Sequence, residues 1–182
     1  MEADGASWEE RRRLVLQKVH MNLTDLIAEA KDPRIATSLA TFKPTKFLDF
    51  IIERESSHWD STTLSSLKQE SLFETNEESF ELAEKLPFKF SYRFADDQGK
   101  ESTLMIEDWE IGELYRNCLK RHDGDEQKAC ADVRRKYYDD FVLTKDTYLF
   151  LGTTKQFHFR SPNPFIIIGV FYPKFITQLN LL

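Results

Sequence analysis

Aromatic and polar residues alternate in the segment after residue 87, and this alternation limits what the chain can fold into. Every second residue from 88 to 94 is Phe or Tyr, and the residues between them are Lys89, Ser91 and Arg93. Successive side chains of a β-strand point to opposite faces, so this segment predicts a strand with one aromatic face and one polar, basic face. Residues 156–160 repeat the pattern around Phe157 and Phe159. We expect the aromatic faces to be core and the polar faces to be open to a ligand.

The second half of the chain predicts an α+β fold with strands and helices in the order ββααββ. The turn sequence Asp96-Asp97-Gln98-Gly99 indicates a hairpin between strands at 88–95 and 102–106. Asp108 is placed as the N-cap of a helix over 109–121, and a second helix is expected over 125–144. Further strands are predicted at 147–152, 156–160 and 165–172. The expected sheet is antiparallel and has four or five strands.

The first half predicts helices. Ser7 and Glu10 have the S-x-x-E spacing of a capping box, and apolar residues then recur at helical spacing to about residue 30. A short helix is expected from Asp32-Pro33 toward Phe42, and the apolar cluster at 47–52 is interpreted as a third helix, with a strand as the alternative. The resulting division is a helical region at 1–55, a Ser/Thr/Glu-rich linker with a weak helix at 56–76, and an α+β sheet domain at 77–182. A short helix is also predicted at 77–86.

The last predicted strand, Phe165 to Tyr172, is apolar on both of its faces. Such strands are normally covered on both sides, whereas the two helices of the ββααββ unit cover only one. We therefore expect the N-terminal helices or a second subunit to cover the other face. The C-terminal tail from Phe175 to Leu182 is also apolar, which favours packing on the domain or on a partner.

Composition narrows the function classes. The net charge of -6 over 182 residues argues against a typical duplex-DNA binder. Cys118 and Cys130 are the two cysteines, and no Cys/His cluster accompanies them, so neither a zinc site nor any other cofactor is predicted. No apolar run is long enough for a signal peptide or a membrane span, so a cytoplasmic protein without membrane association is expected.

Cations and rings on the polar strand faces form the candidate binding site. Its residues are Lys89, Arg93, His158, Arg160 and Tyr172. Proteins that hold single-stranded nucleic acid place cations along the phosphates and stack rings on the bases. The leading hypothesis is therefore a non-enzymatic binding module for single-stranded nucleic acid, with no catalytic residue. The competing interpretation is that these cations pair with acids on neighbouring strands.

Two other function classes remain open. The first is a protein-interaction or homo-assembly module that uses the Phe165–Tyr172 strand and the C-terminal tail. The second is a divalent-metal-dependent hydrolase or nuclease built on the acidic cluster around Asp97, Glu107 and Asp108. A turn and a helix N-terminus explain the same acids without a metal. Gly152-Thr153-Thr154-Lys155 suggests a phosphate-binding turn, although a strand bulge explains it as well.

Overall fold

A computed structural model describes residues 5–55, 85–154 and 157–175, with side chains from Trp8 onward. The chain divides into two compact units, one formed by Met1–Ile51 with Phe90–Leu182 and the other by Ile52–Lys89. The predicted linker at 56–76 and most of the predicted helix at 77–86 lie outside the described residues.

The described chain contains five α-helices, one π-helical segment and seven strands. The helices are α1 (Gly5–Val15), α2 (Leu23–Lys31), α3 (Trp109–Arg121), α4 (Glu126–Arg134) and α5 (Phe141–Thr144), and a π-helical segment, Arg135–Asp140, joins the last two. The strands are β1 (Val19–His20), β2 (Leu39–Phe42), β3 (Lys46–Arg54), β4 (Phe88–Ala95), β5 (Glu101–Met105), β6 (Tyr148–Thr153) and β7 (Phe165–Phe171).

The strands form two sheets. The first has the order β1-β2-β6-β7, with β1 parallel to β2 and the other pairs antiparallel. The second has the order β3-β4-β5, in which β4 and β5 are antiparallel. The sheets meet where Ile106, just after β5, bridges Ile167 in parallel and the Glu107 amide donates to the Ile167 carbonyl at 2.7 Å.

The core lies between the sheets and the helices, and aromatic side chains fill much of it. Phe90, Tyr92 and Phe94 of β4 are fully buried, as the alternation predicts. Tyr92 contacts Phe50 of β3 at a ring distance of 5.4 Å, and its hydroxyl donates to a carbonyl in the π-helical segment, that of Tyr137. These contacts join the second sheet to the helical layer.

The mixed α+β class is confirmed, but the single antiparallel sheet in ββααββ order is not. The elements do follow one another in that order from β4 to β7. However, β4 pairs with β3, and β6 pairs with β2, so both halves of the chain contribute to each sheet. The hairpin β4–β5 and the pair β6–β7 therefore belong to different sheets.

Three of the predicted helices in the first half are wrong in extent or type. The long helix to residue 30 is interrupted after Val15, because Asn22 starts α2 by accepting the Asp25 amide at 3.0 Å. The helix expected toward Phe42 is strand β2, and the cluster at 47–52 is in strand β3, the alternative interpretation. Pairing with distant strands outweighs the local helical signal in both segments.

The predicted strand at 156–160 is also wrong in its described part. Residues 157–160 form a helical turn in which the Phe157 and His158 amides donate to the Thr154 carbonyl. Phe157 and Phe159, expected in the core, are exposed, while His158 between them is buried. The helix prediction at 109–121 is confirmed, with Asp108 as its N-cap. The predicted helix at 125–144 is helical and begins at the N-cap Asp125, but the π-helical segment Arg135–Asp140 divides it.

Candidate functional site

The predicted cations of β4 pair with acids. The Arg93 guanidinium lies 2.5 Å from the Glu101 carboxylate on the neighbouring strand β5. In the smaller unit, Lys89 Nζ lies 3.6 Å from a carboxylate oxygen of Glu53. Both contacts match the interpretation that these cations neutralise cross-strand acids.

His158 and Arg160 lie in the turn between β6 and β7 rather than on a strand face. His158 Nδ1 is 2.6 Å from the Thr153 hydroxyl, and its ring meets Phe159 at 4.5 Å. Arg160 is exposed. Because this turn belongs to the first sheet and β4 to the second, Arg93 and Arg160 do not share one strand face.

Tyr172, the predicted stacking ring, is already stacked within the protein. Its ring lies 3.6 Å from that of Phe141, with an angle of 13° between the planes, and 6.0 Å from that of Trp8. Burial raises the pKa of Tyr172. One ring face is therefore covered by Phe141.

The predicted acidic cluster has structural roles that the geometry makes explicit. Asp97 and Glu107 are exposed, and their amides donate to the carbonyls of Met21 and Ile167. Asp108 accepts the Glu110 amide at 2.9 Å as the N-cap of α3. Among the described residues, no group of three or more His, Cys, Asp or Glu side chains is placed to hold a metal ion.

A polar cluster between α3 and α4 lines a cleft of about 360 Å³. Asp132 accepts from His122 Nε2 at 2.8 Å and pairs with Arg135 at 2.8 Å and Arg121 at 3.6 Å. The hydrogen bond from His122 lowers the pKa of Asp132. Burial raises the pKa of the nearby Cys118 thiol, so it stays protonated and is a poor nucleophile. The cluster is best explained as a polar connection between the two helices.

A groove of about 680 Å³ lies on the outer face of the first sheet, the face on which α1 packs. Its floor comes from β2, β6 and β7, and the end of α1 with the loop before β1 forms one wall. The lining residues are Leu14, Gln17, Lys18, His20, Thr37, Ser38, Leu39, Ala40, Thr41, Phe150, Leu151 and Ile168. We call this feature the edge groove. It has the size of small-ligand and peptide-anchor sites.

Two local features of β6 and β7 shape the floor of the edge groove. Phe150 is opposite Gly169 and Leu151 is opposite Ile167, so Ile168 is an extra residue that forms a β-bulge. A Cβ on Gly152 would lie 3.0 Å from two side-chain carbons of Ile168, so glycine leaves room for that side chain over β6. Gly152 and Thr153, which the sequence suggested as a phosphate-binding turn or a strand bulge, belong to strand β6, and Lys155 lies outside the described residues.

One edge of β2 also borders the edge groove, and at Leu39 no described strand is paired with it. On one side of β2, the Thr153 amide donates to the Ser38 carbonyl at 3.0 Å. On the other side, the Lys43 amide donates to the His20 carbonyl at 2.8 Å. Hydrogen-bonding direction alternates along a strand, so the odd-numbered residues Leu39 and Thr41 direct their N–H and C=O groups toward the β1 side. Because β1 begins at Val19, opposite Thr41, it does not run beside Leu39.

Charges at the rim of the edge groove are balanced. Lys18 Nζ lies 3.5 Å from Glu29, which also accepts from the Thr37 hydroxyl at 3.3 Å. Burial lowers the pKa of His20, so this ring is mainly neutral at pH 7. Sequence analysis missed the groove because β1 and β2 were both assigned to helices.

The described residues include no helix that is both long and apolar enough to cross a membrane. No curated protein and no solved structure matches the chain. One protein family does match it, over residues 19–182, from the start of β1 to the last residue. Helix α1 precedes the matched region. The chain therefore belongs to the family described as a domain of unknown function, DUF8757.

Proposed function

We propose that the chain is a non-enzymatic protein-binding module that holds a segment of a partner protein in the edge groove. The observation that carries this proposal is the convergence of three exposed apolar side chains in one concavity. Leu39 is 68% exposed, Leu14 62% and Ile168 41%, and all three line the groove. Single exposed apolar residues are ordinary on soluble proteins, whereas contiguous concave patches mark interaction sites.

The face that contains the edge groove already binds one polypeptide segment. Trp8 of α1 packs on Phe171 at a ring distance of 5.6 Å, and Phe171 in turn contacts Phe150 of the groove floor at 6.1 Å. The groove thus continues a surface on which a helix of the same chain is packed. This continuity favours a polypeptide over a small molecule as the occupant.

The chemistry of the lining favours binding of an uncharged apolar segment. Lys18 is the one cation among the described lining residues and is paired with Glu29, so the groove offers little to a polyanion, which needs an excess of cations. His20 is the one titratable ring among the described lining residues, and no hydrogen bond between described residues joins it to Ser38 of the lining or to a carboxylate, as a catalytic pair would require. The prediction of single-stranded nucleic-acid binding stays a prediction, and this geometry does not add to it.

The test is selection of peptides from a random phage-displayed library on the wild-type chain, followed by fluorescence anisotropy with the selected peptides. Leu39→Asp places a charge in the groove, and Leu143→Asp is the matched control. Leu143 is 62% exposed on α5 and does not line the groove, so both changes are at exposed positions.

We expect Leu39→Asp to weaken binding of the selected peptides at least about tenfold, because a buried apolar contact would be replaced by an unpaired charge. Leu143→Asp should leave the affinity unchanged. Selection of no peptide, or equal binding to both variants, would refute the proposal.

A further inference from the structure

The unpaired edge of β2 at Leu39 indicates how the groove binds a partner segment. The inference below rests on the protein-binding function proposed above. We propose that the partner segment binds in an extended conformation and adds to the four-stranded sheet as a strand beside β2. The residue of the partner that faces Leu39 exchanges two backbone hydrogen bonds with it. The partner is thus recognised by strand addition rather than as a docked helix.

The backbone groups of β2 show which of its residues can pair with an added strand. Contacts at both edges of β2 show that the odd-numbered residues turn their N–H and C=O groups away from β6. Thr41 meets β1 at Val19, whereas Leu39 lies beyond the start of that strand. The N–H and C=O of Leu39 therefore point toward the side of β2 on which no described strand is paired with it, and an extended chain added there would donate and accept both hydrogen bonds.

The side chains of the groove carry the second step. Leu39 is paired with Gly152 and Thr41 with Phe150, so these residues lie in rows across the outer face of the sheet. The Ile168 side chain lies over Gly152, 3.0 Å from the position that a Cβ would take there. A strand added beside β2 would extend these rows and place every second side chain over the apolar floor. We therefore expect the partner segment to have apolar residues at alternate positions.

A helix would not satisfy the same surface. Its N–H and C=O groups bond to one another, so it would leave the edge of Leu39 unpaired, and its apolar side chains recur every three or four residues. The edge is short, because β1 already covers Thr41 and Phe42. Two main-chain bonds contribute modest affinity, and the apolar side chains must supply the rest.

Lys18 is placed to limit unwanted pairing at this edge. It is 71% exposed and lines the groove beside Leu39. Charged side chains at open strand edges are a common device against edge-to-edge association of identical chains. A second copy pairing through the same edge would bring its own Lys18 there, which a separate partner need not do, so this arrangement favours a separate partner.

The test uses the tightest peptide from the selection described above, with each of its backbone amides N-methylated in turn. An N-methyl group removes one donor without changing the protein, so misfolding cannot explain a loss. We expect about tenfold weaker binding for the amide that bonds Leu39, and little change when its neighbours, which point away from β2, are methylated.

Amide hydrogen exchange supplies a second measurement on the unmodified chain. The Leu39 amide should exchange at least about tenfold more slowly with saturating peptide, because it gains a hydrogen-bond acceptor. The Thr153 amide, already bonded to the Ser38 carbonyl, is the control and should change little.

The outcomes separate the two proposals. Peptides that bind Leu39→Asp and Leu143→Asp equally would overturn the protein-binding function and strand addition with it. Peptides that discriminate between the variants, tolerate every N-methyl group and leave Leu39 exchange unchanged would overturn strand addition alone. If sedimentation shows a dimer that protects the Leu39 amide without peptide, the occupant is a second copy and the inference of a separate partner is wrong.

Discussion

Asp96 offers the sharpest test of how the hairpin β4–β5 is tied to the rest of its unit. Its carboxylate is 2% exposed and accepts three backbone N–H groups. The donors are Leu23 at 3.3 Å, Gln98 at 3.0 Å and Lys100 at 2.9 Å. Leu23 is the first residue of α2, so one side chain joins the hairpin turn to a helix distant in sequence.

The cost of Asp96→Ala follows from the surroundings of each donor. Gln98 and Lys100 lie in an exposed turn, where water can replace the lost acceptor, so each should cost about 0.5–1 kcal/mol. Leu23 is fully buried, and its amide would be left without an acceptor at a cost of about 1–3 kcal/mol. We therefore predict that the free energy of unfolding falls by about 2–5 kcal/mol. This is a large part of the total for a typical domain, which is about 5–15 kcal/mol.

Urea unfolding followed by circular dichroism measures this loss. With an m-value of roughly 2 kcal/mol/M, the midpoint should fall by about 1–2.5 M. Asp97→Ala is the matched control, because Asp97 is adjacent and exposed and should shift stability by less than about 0.5 kcal/mol. If the two variants unfold at the same urea concentration, the Asp96 hydrogen bonds do not hold α2 to the hairpin.

The Asp97→Ala variant also tests the hypothesis of a divalent-metal site. If Mg²⁺ raises the melting temperature of the wild type and Asp97→Ala abolishes this rise, the metal hypothesis is supported.

Three further predictions follow from the sites described above. Gly152→Ala would place a Cβ 3.0 Å from side-chain carbons of Ile168, so we expect the free energy of unfolding to fall by about 1–2 kcal/mol, measured by thermal melting. Because Ile168 lines the groove, we also expect weaker binding of the selected peptides, measured by fluorescence anisotropy. The hydrogen bond from His122 lowers the pKa of Asp132 in the folded protein. The ionised Asp132 carboxylate therefore stabilises the fold above the ordinary carboxyl pKa, and this stabilisation is lost as the pH falls through the pKa of Asp132 in the folded state. The urea midpoints of wild type and Asp132→Asn should therefore converge as the pH falls below 3.8, the ordinary carboxyl value, and a constant gap would contradict this cause. Because Arg93 is paired with an acid and Arg160 lies in a turn, we expect neither wild type nor Arg93→Glu and Arg160→Glu to retain labelled oligothymidine at low salt; wild-type binding that both variants lose would support the nucleic-acid hypothesis.

Features with a local cause could be predicted from the sequence. The acidic turn ending in Gly99 forms the predicted hairpin, and that glycine has a positive φ of 75°. Asp108 and Asp125 cap the two helices that the periodicity indicated. The aromatic positions of β4 are core because alternation fixes the face to which they point. Each of these signals lies within a few residues of the structure it determines.

Features set by distant pairing could not be predicted in the same way. Residues 39–42 lie in a strand because they pair with residues 149–152, more than a hundred positions later. The bulge at Ile168 likewise depends on the register between two strands. It changes which residues of β7 share a face, so that Phe171 lies on the outer face with Phe150 and contacts Trp8. The edge groove depends on the β2–β6 pairing, on the bulge in β7 and on the face to which the following residues of β7 point. No pattern within a few residues of the groove predicts it.

The apolar character of β7 and the groove have one explanation. Strict alternation in β4 leaves polar residues on its second face, and the described acids neutralise Arg93 there. In β7 both faces are apolar, and a strand of this kind is normally covered on both faces by other segments. Helix α1 covers one end through Trp8, although it precedes the region that the family shares. The edge groove is the part of this face that the described residues leave uncovered, and the open edge of β2 beside it supplies the backbone groups that an additional strand would need.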